Sequence, residues 1–256
     1  MTFILKRACY GLICYKPPMM MQHHFARIES MTDIGRILAY GREVCASLGV
    51  IRQSYHFPPA FDDLTSSRTV IYTDGYPKEW VDLYNQIDFR RYDPLPSRTL
   101  IHGKLLSWEN AMEAGENTSE EEAFFAAVRE HGLQHSFGVP LYGPRGRNGY
   151  AAFDFGVPLR EIENSKIGLV RSIAQSAHQR ICVLFEQTDG SPELSQRETE
   201  VLNWVAQGKS NTDIATILGL SPDTVRTYIR RIYEKLDASD RVGAAIKALK
   251  LGLIST

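Results

Sequence analysis

Three arginines near the C-terminus, Arg226, Arg230 and Arg231, are spaced so that a helix would bring them onto one face with Thr224 and Thr227. A planar guanidinium can grip a guanine edge or a phosphate oxygen through two parallel hydrogen bonds, which gives such a face the chemistry of nucleic-acid reading. Taken alone, a charged helix face is usually just a solvated one. A second constellation lies far upstream: Trp80 and Tyr84 are four residues apart, Asp93 and Pro94 follow, and Trp108 comes later. The indole N–H is a donor only, the tyrosine hydroxyl can donate, and a carboxylate accepts, so these three residue types make hydrogen bonds of both senses. Residues one helical turn apart share a face, and an aromatic pair at that spacing is, on its own, ordinary core packing.

The arginines need a scaffold, and the surrounding sequence spells one out. Ser195 with Glu198 three residues on is a capping box, in which hydroxyl and carboxylate satisfy two free backbone N–H groups reciprocally. Val201, Leu202 and Val205 then recur at helical spacing up to Gly208, which suits a left-handed stop. Ser210 with Asp213 repeats the start signal, Ile214, Ala215, Ile217 and Leu218 form the next apolar stripe, and Gly219 makes the turn. Ser221 and Pro222 open a third helix, whose Val225, Ile229, Ile232, Tyr233 and Leu236 must bury against the first two. Two helices joined by a tight glycine turn form a helix-turn-helix. A last stripe, Val242, Ala245, Ile246 and Leu249, fits either a dimer surface or packing within the same domain.

Upstream, helix and strand signals alternate. Ile34, Ile37, Leu38, Val44, Cys45 and Leu48 mark a helix ending near Gly49, and 51–57 and 69–72 read as strands. A helix is expected from Lys78 to about Phe89, extended pieces near Leu100 and Leu105, and a helix from Ser119 to His131 opened by a Ser119/Glu122 capping box. Strands at 136–142 and 150–157 flank a glycine-rich loop as a hairpin, and a long helix from about Leu159 to Glu186 follows. The expected fold class is α+β: an N-terminal α/β/α sandwich with a mainly antiparallel sheet, then an all-α, four-helix helix-turn-helix domain. The expected boundaries are an extension at 1–30, a sandwich domain at 31–187, a linker at 188–192 rich in small and polar residues, and the helical domain at 193–256.

Composition narrows the function. The 256 residues carry 29 Lys and Arg against 30 Asp and Glu, a net charge of −1. From Glu193 onward nine basic residues face eight acidic ones, so the basic surface is local and a nonspecific, histone-like binder is not expected. Cys9, Cys14, Cys45 and Cys182 show no metal spacing, and His23 and His24, adjacent in sequence, would diverge on a helix. No metal or cofactor is expected. The chain has no G-x-S-x-G turn and no phosphate-binding glycine loop, which argues against an enzyme. A response regulator would need an acidic pocket, for which Asp62 and Asp63 lie in a poor context. Lys6 and Arg7 break the first apolar run and no membrane span follows, so the protein reads as cytoplasmic. Met19, Met20, Met21 and Met31, after Pro17 and Pro18, raise the expectation that translation starts later than Met1, which an intact mass from the native locus tests.

The run from Leu194 to Leu236, continuing through Ala244 to Ile254, resembles the DNA-binding domain of LuxR-type transcription regulators, with Glu198, Leu202 and Gly208 at the family's spacing. The set Trp80, Tyr84, Asp93, Pro94, Trp108 and Gly138 is similar to the signature of that family's autoinducer-binding domain, so the likeness extends from about residue 31 to the end. It implies Arg226 and Arg230 at base edges, flanked by Thr224, Thr227 and Arg231, and Lys209, Asn211 and Thr212 at backbone phosphates. Tyr228 stands where many members carry histidine, a departure that bears on the operator sequence. It also implies a quorum-sensing ligand, an N-acyl-homoserine lactone. Trp80 would donate to the lactone carbonyl, Tyr84 to the acyl carbonyl, Asp93 would accept the amide N–H and Trp108 would pack on the ring. Pro94 would hold Asp93 extended, and Gly138 would open the later strand. Asp154 falls near the position of a family serine or threonine, facing either the pocket or solvent according to the strand register. Implied partners are double-stranded DNA with a palindromic operator, a second copy of the chain and RNA polymerase. The alternative is an orphan regulator of the same fold that answers a different small molecule.

Overall fold

The computed structural model describes residues 19–58, 64–113, 116–188 and 192–254. Cys9, Cys14, the Asp62/Asp63 pair and most of the linker fall outside these residues. Five strands form one sheet in the order β2-β1-β5-β4-β3: β1 (Arg52–Phe57), β2 (Val70–Asp74), β3 (Leu106–Ser107), β4 (Phe137–Leu141) and β5 (Gly149–Asp154). Every described pairing is antiparallel. The central strand β5 is buried along its whole length, so both faces of the sheet are covered.

One face packs on α1 (Met19–Ser30), α2 (Ile34–Ser47) and α7 (Asn164–Thr188). Tyr55, Phe57, Phe137, Val139, Ala151 and Phe153 point into this layer, meeting Ile37, Val44, Val170, Ile173 and Ile181. Helix α1 lies within the segment expected as an extension, yet its Ile28 is fully buried in this core. Cys45 and Cys182 are buried in the same layer, neither in a disulfide among the described residues, and burial pushes the Cys45 thiol up to about 12.

The opposite face carries α3 (Lys78–Gln86), α4 (Leu95–His102), α5 (Trp108–Glu113) and α6 (Ser119–Glu130) around a second core of Trp80, Phe89, Leu95, Phe124, Phe125 and Tyr150. Several expectations change here. Leu100 lies in α4 and not in an extended piece, because Pro94 occupies the helix N-cap and Asp93 accepts the Leu95 N–H, together starting a helix. Pro94 therefore acts by opening α4. The helix at 78 stops at Gln86, since Asp88 adopts a left-handed backbone (φ 53°) before a 3-10 turn over Phe89–Arg91. The capping box of α6 is Thr118 with Glu121, one residue earlier than expected. The stretch Leu159–Glu161 forms its own 3-10 turn, so α7 begins only at Asn164.

The C-terminal unit is all helical: α8 (Gln196–Ala206), α9 (Asn211–Leu218), α10 (Pro222–Leu236) and α11 (Arg241–Lys250). Ser195 and Ser210 form full capping boxes with Glu198 and Asp213, Ser221 caps α10, and Gly219 is left-handed at the turn. Val201, Leu202, Ile214, Val225, Ile232, Ala244 and Ala248 make a separate core.

Candidate ligand cavity and nucleic-acid interface

A cavity of about 150 Å³ lies between the sheet and the second helical layer, and Trp80, Tyr84, Asp93 and Trp108 all line it. Trp80 and Tyr84 share a face of α3, with ring centroids 5.9 Å apart. Asp93 is fixed at the mouth of α4, where Oδ1 accepts the Leu95 N–H at 2.9 Å and Oδ2 accepts the Tyr84 hydroxyl at 3.0 Å. Trp108 opens α5 and donates its indole N–H to the Tyr150 hydroxyl at 3.0 Å, which sets the plane of its ring.

The electrostatics of this chamber follow from burial. Desolvation pushes the Asp93 carboxyl up to about 7, although the Leu95 N–H and the Tyr84 hydroxyl both favour its charged form. Burial also pulls the His56 imidazole down to about 3, with the Arg90 charge adding to the effect, so the ring is neutral at any physiological pH. Gly138 has a steric reason. A Cβ there would lie 2.6 Å from both Thr99 Oγ1 and Tyr150 Cε2, so a side chain would push into the wall that holds Tyr150 and Trp108.

Asp154 is a correction. It is fully buried, but it neither lines the cavity nor faces solvent: its carboxylate pairs with Arg52 at 2.5 Å and accepts the Gly156 N–H at 2.6 Å. Side chains alternate along a strand, so Asp154 leans to the same side as Tyr150 and Ala152, but the register sets it beside Arg52 at the strand end. Tyr150 is the β5 residue that reaches the cavity. Sequence reasoning also missed Tyr76, Ser54 and His56 in the lining. The period-two alternation of β1 was a usable signal for the last two, once its inward face was known.

In the helical unit, Arg226, Arg230 and Arg231 stand exposed along α10, with Thr224 and Thr227 half-buried between them. Arg226 pairs with Asp223 at 2.9 Å and Arg230 approaches Glu234 at 3.9 Å, with both arginine side chains more than 70% exposed. Such ion pairs are worth little in water and release readily to a better anion. Lys209 and Thr212 are exposed at the start of α9. Asn211 accepts from Arg241 Nη1 at 3.2 Å, and Arg241 also bonds the Lys209 carbonyl, so this unforeseen arginine braces the loop before α9. Glu198 does more than cap: nearly buried, it pairs with Lys235 at 2.7 Å and so clamps α8 to α10. Among the described residues no helix is long and apolar enough to cross a membrane, and no group of three His, Cys, Asp or Glu is placed to hold a metal.

Residues 33–181 match the autoinducer binding domain family, and residues 192–248 match the luxR family of bacterial regulatory proteins. The quorum sensing-dependent transcriptional regulator RpaR of Rhodopseudomonas palustris is 30% identical over 184 residues, 71% of this chain and 74% of that one. The protein y4qH of Sinorhizobium fredii is 30% identical over 182 residues, which are 70% of this chain but only 56% of that longer one. A crystal structure of Escherichia coli SdiA shares the fold with a TM-score of 0.69 at 24% identity, covering 93% of this chain and 98% of that one. With a sensor fold around a buried polar cavity and a capped helix-turn-helix behind it, the chain belongs to the LuxR family of ligand-responsive transcription regulators.

Proposed function

We propose that the cavity binds an N-acyl-homoserine lactone and that its occupancy governs DNA binding by the helical unit. The observation that carries this is the 3.0 Å bond between Tyr84 and Asp93 on one wall of a chamber also lined by Trp80 and Trp108. The lactone is neutral and brings one amide N–H and two carbonyls. Its N–H replaces the Tyr84 hydroxyl as donor to Asp93 Oδ2, and the freed hydroxyl turns to the acyl carbonyl. The Trp80 indole N–H takes the lactone carbonyl, and the Trp108 ring packs on the five-membered ring. The exchange leaves Asp93 with the same number of donors, the Leu95 N–H on Oδ1 and one donor on Oδ2.

Ligand binding stabilises the folded sensor by mass action. The regulator then acts as a homodimer, setting two α10 helices about 34 to 36 Å apart on a palindromic operator. Arg226, Arg230 and Arg231 with Thr224 and Thr227 face the major groove, while Lys209, Asn211 and Thr212 meet phosphates. Val242, Ile246 and Leu249 stay exposed on α11 while Ala244 and Ala248 turn into the core, which supports a dimer surface over packing within the domain. RNA polymerase is the partner once the operator is filled. The protein works in the cytoplasm, where operator and messenger meet.

The test is expression with and without a panel of acyl-homoserine lactones, followed by mass spectrometry of what co-purifies. A lactone retained in stoichiometric amount is the expected result. Retention of an acylglycerol with exclusion of every lactone would instead support the orphan reading; SdiA has been solved in complex with octanoyl-rac-glycerol.

A further inference from the structure

The cavity wall opposite the Tyr84 and Asp93 pair is formed by the sheet, and it is not greasy. Alternation along β1 turns Ser54 and His56 inward, while Tyr55 and Phe57 enter the other core. His56 lies across from Ile71 on β2 and Tyr150 on β5, with the Tyr150 ring edge-on to the imidazole at 5.1 Å. Its Nε2 meets the Ser54 hydroxyl at 3.2 Å, whereas its Nδ1 is buried without any hydrogen-bond partner. Tyr76, just past β2, brings its buried hydroxyl toward Ser54 without closing a full hydrogen bond to it. A buried imidazole nitrogen with no partner and a buried hydroxyl with an incomplete one are costly beside one small chamber, since each loses water and receives little in exchange. A plain alkyl tail would bury them further.

We infer that the His56, Ser54 and Tyr76 cluster selects a ligand whose acyl group carries a hydroxyl, which bonds to the imidazole and the tyrosine. A hydroxyl both donates and accepts, so it satisfies either tautomer of the neutral ring, and the Tyr76 hydroxyl can serve it in either sense. This deepens the lactone reading and rests on it: Tyr84 and Asp93 hold the amide, while His56 and its neighbours choose the tail. His56 is thus a specificity-determining residue, because leaving buried polar groups unpaired discriminates far more strongly than the loss of a methylene.

The test uses the full-length protein and three ligands of equal chain length, N-octanoyl-, N-(3-oxooctanoyl)- and N-(3-hydroxyoctanoyl)-homoserine lactone, with affinities read by competition binding. The expected result is at least a tenfold preference for the hydroxylated ligand over the plain one. In His56→Phe, which keeps an aromatic ring against Tyr150, that ratio should fall below threefold, and His56→Gln should restore part of it. Tyr76→Phe lowers the same ratio and serves if His56→Phe does not fold. Lactones that bind without tail preference, or a preference that survives in both Phe variants, would overturn this inference and leave the lactone reading intact. A protein that binds none of the three overturns both.

Discussion

The sensor and the DNA reader use their polar groups in opposite ways. In the reader, Lys209, Thr212, Arg226, Arg230 and Arg231 are exposed, and local devices hold their backbone: three serine N-caps, two capping boxes and a glycine turn. In the sensor, Asp93, His56 and Ser54 are buried, and they meet only because β1, α3, α4 and β5 converge. The reader is therefore complete before it meets DNA, whereas the sensor holds polar groups that lack partners until a ligand arrives. Ligand control follows from this asymmetry, because only the unsatisfied half gains stability on filling.

The sharpest way to break the contrast is Asp93→Asn. Losing a hydrogen bond to a charged acceptor costs roughly 1.5 to 3 kcal/mol, so lactone affinity should fall by about 10- to 150-fold in titration calorimetry while the reader's own unfolding transition stays unchanged. The same residue gives a pH signature. Its folded value is raised from 3.8 to about 7, so the contribution to stability is complete below 3.8 and is lost as pH rises toward 7. Unfolding measured between pH 4 and 7 should show the ligand-free sensor weakening with a slope approaching about 1.4 kcal/mol per pH unit, and Asp93→Asn should flatten it.

Gly138→Ala tests the packing side of the contrast. The added methyl meets Thr99 and Tyr150 at 2.6 Å, so overpacking should cost about 1 to 3 kcal/mol in the sensor transition and nothing in the reader. Arg230→Ala examines the other half and should weaken operator binding by roughly 1 to 3 kcal/mol while relaxing specificity at one base pair. An equal loss on every sequence, measured by gel shift, would assign Arg230 to phosphate. The smallest effect belongs to Lys235→Met, which strands nearly buried Glu198. Because the lysine end is 40% exposed, the reader's transition should drop by only about 1 kcal/mol.

The same asymmetry explains what could be read from the sequence. The caps at Ser195, Ser210 and Ser221 were legible because each signal and its consequence lie within four residues. Trp80, Tyr84, Asp93 and Trp108 were legible as a set through family spacing, and the cavity brings them together. Leu100 was misassigned because the helix start at Asp93 and Pro94 was read only as a way of aiming a side chain. Asp154 was misplaced because cavity access on β5 depends on where Arg52 stands, 102 residues earlier. His56 and Tyr76 went unnoticed for the same reason: nothing within their own neighbourhoods says which face of β1 is hollow.

The central claim is tested most directly by thermal unfolding of the full-length protein titrated with the preferred lactone. At a ligand concentration about 100 times Kd, binding contributes about 2.7 kcal/mol, which should raise the sensor transition by roughly 5 to 10 °C, with the reader transition unmoved and the shift largely lost in Asp93→Asn. An unchanged sensor transition across the whole panel, or an equal shift in Asp93→Asn, would contradict the account.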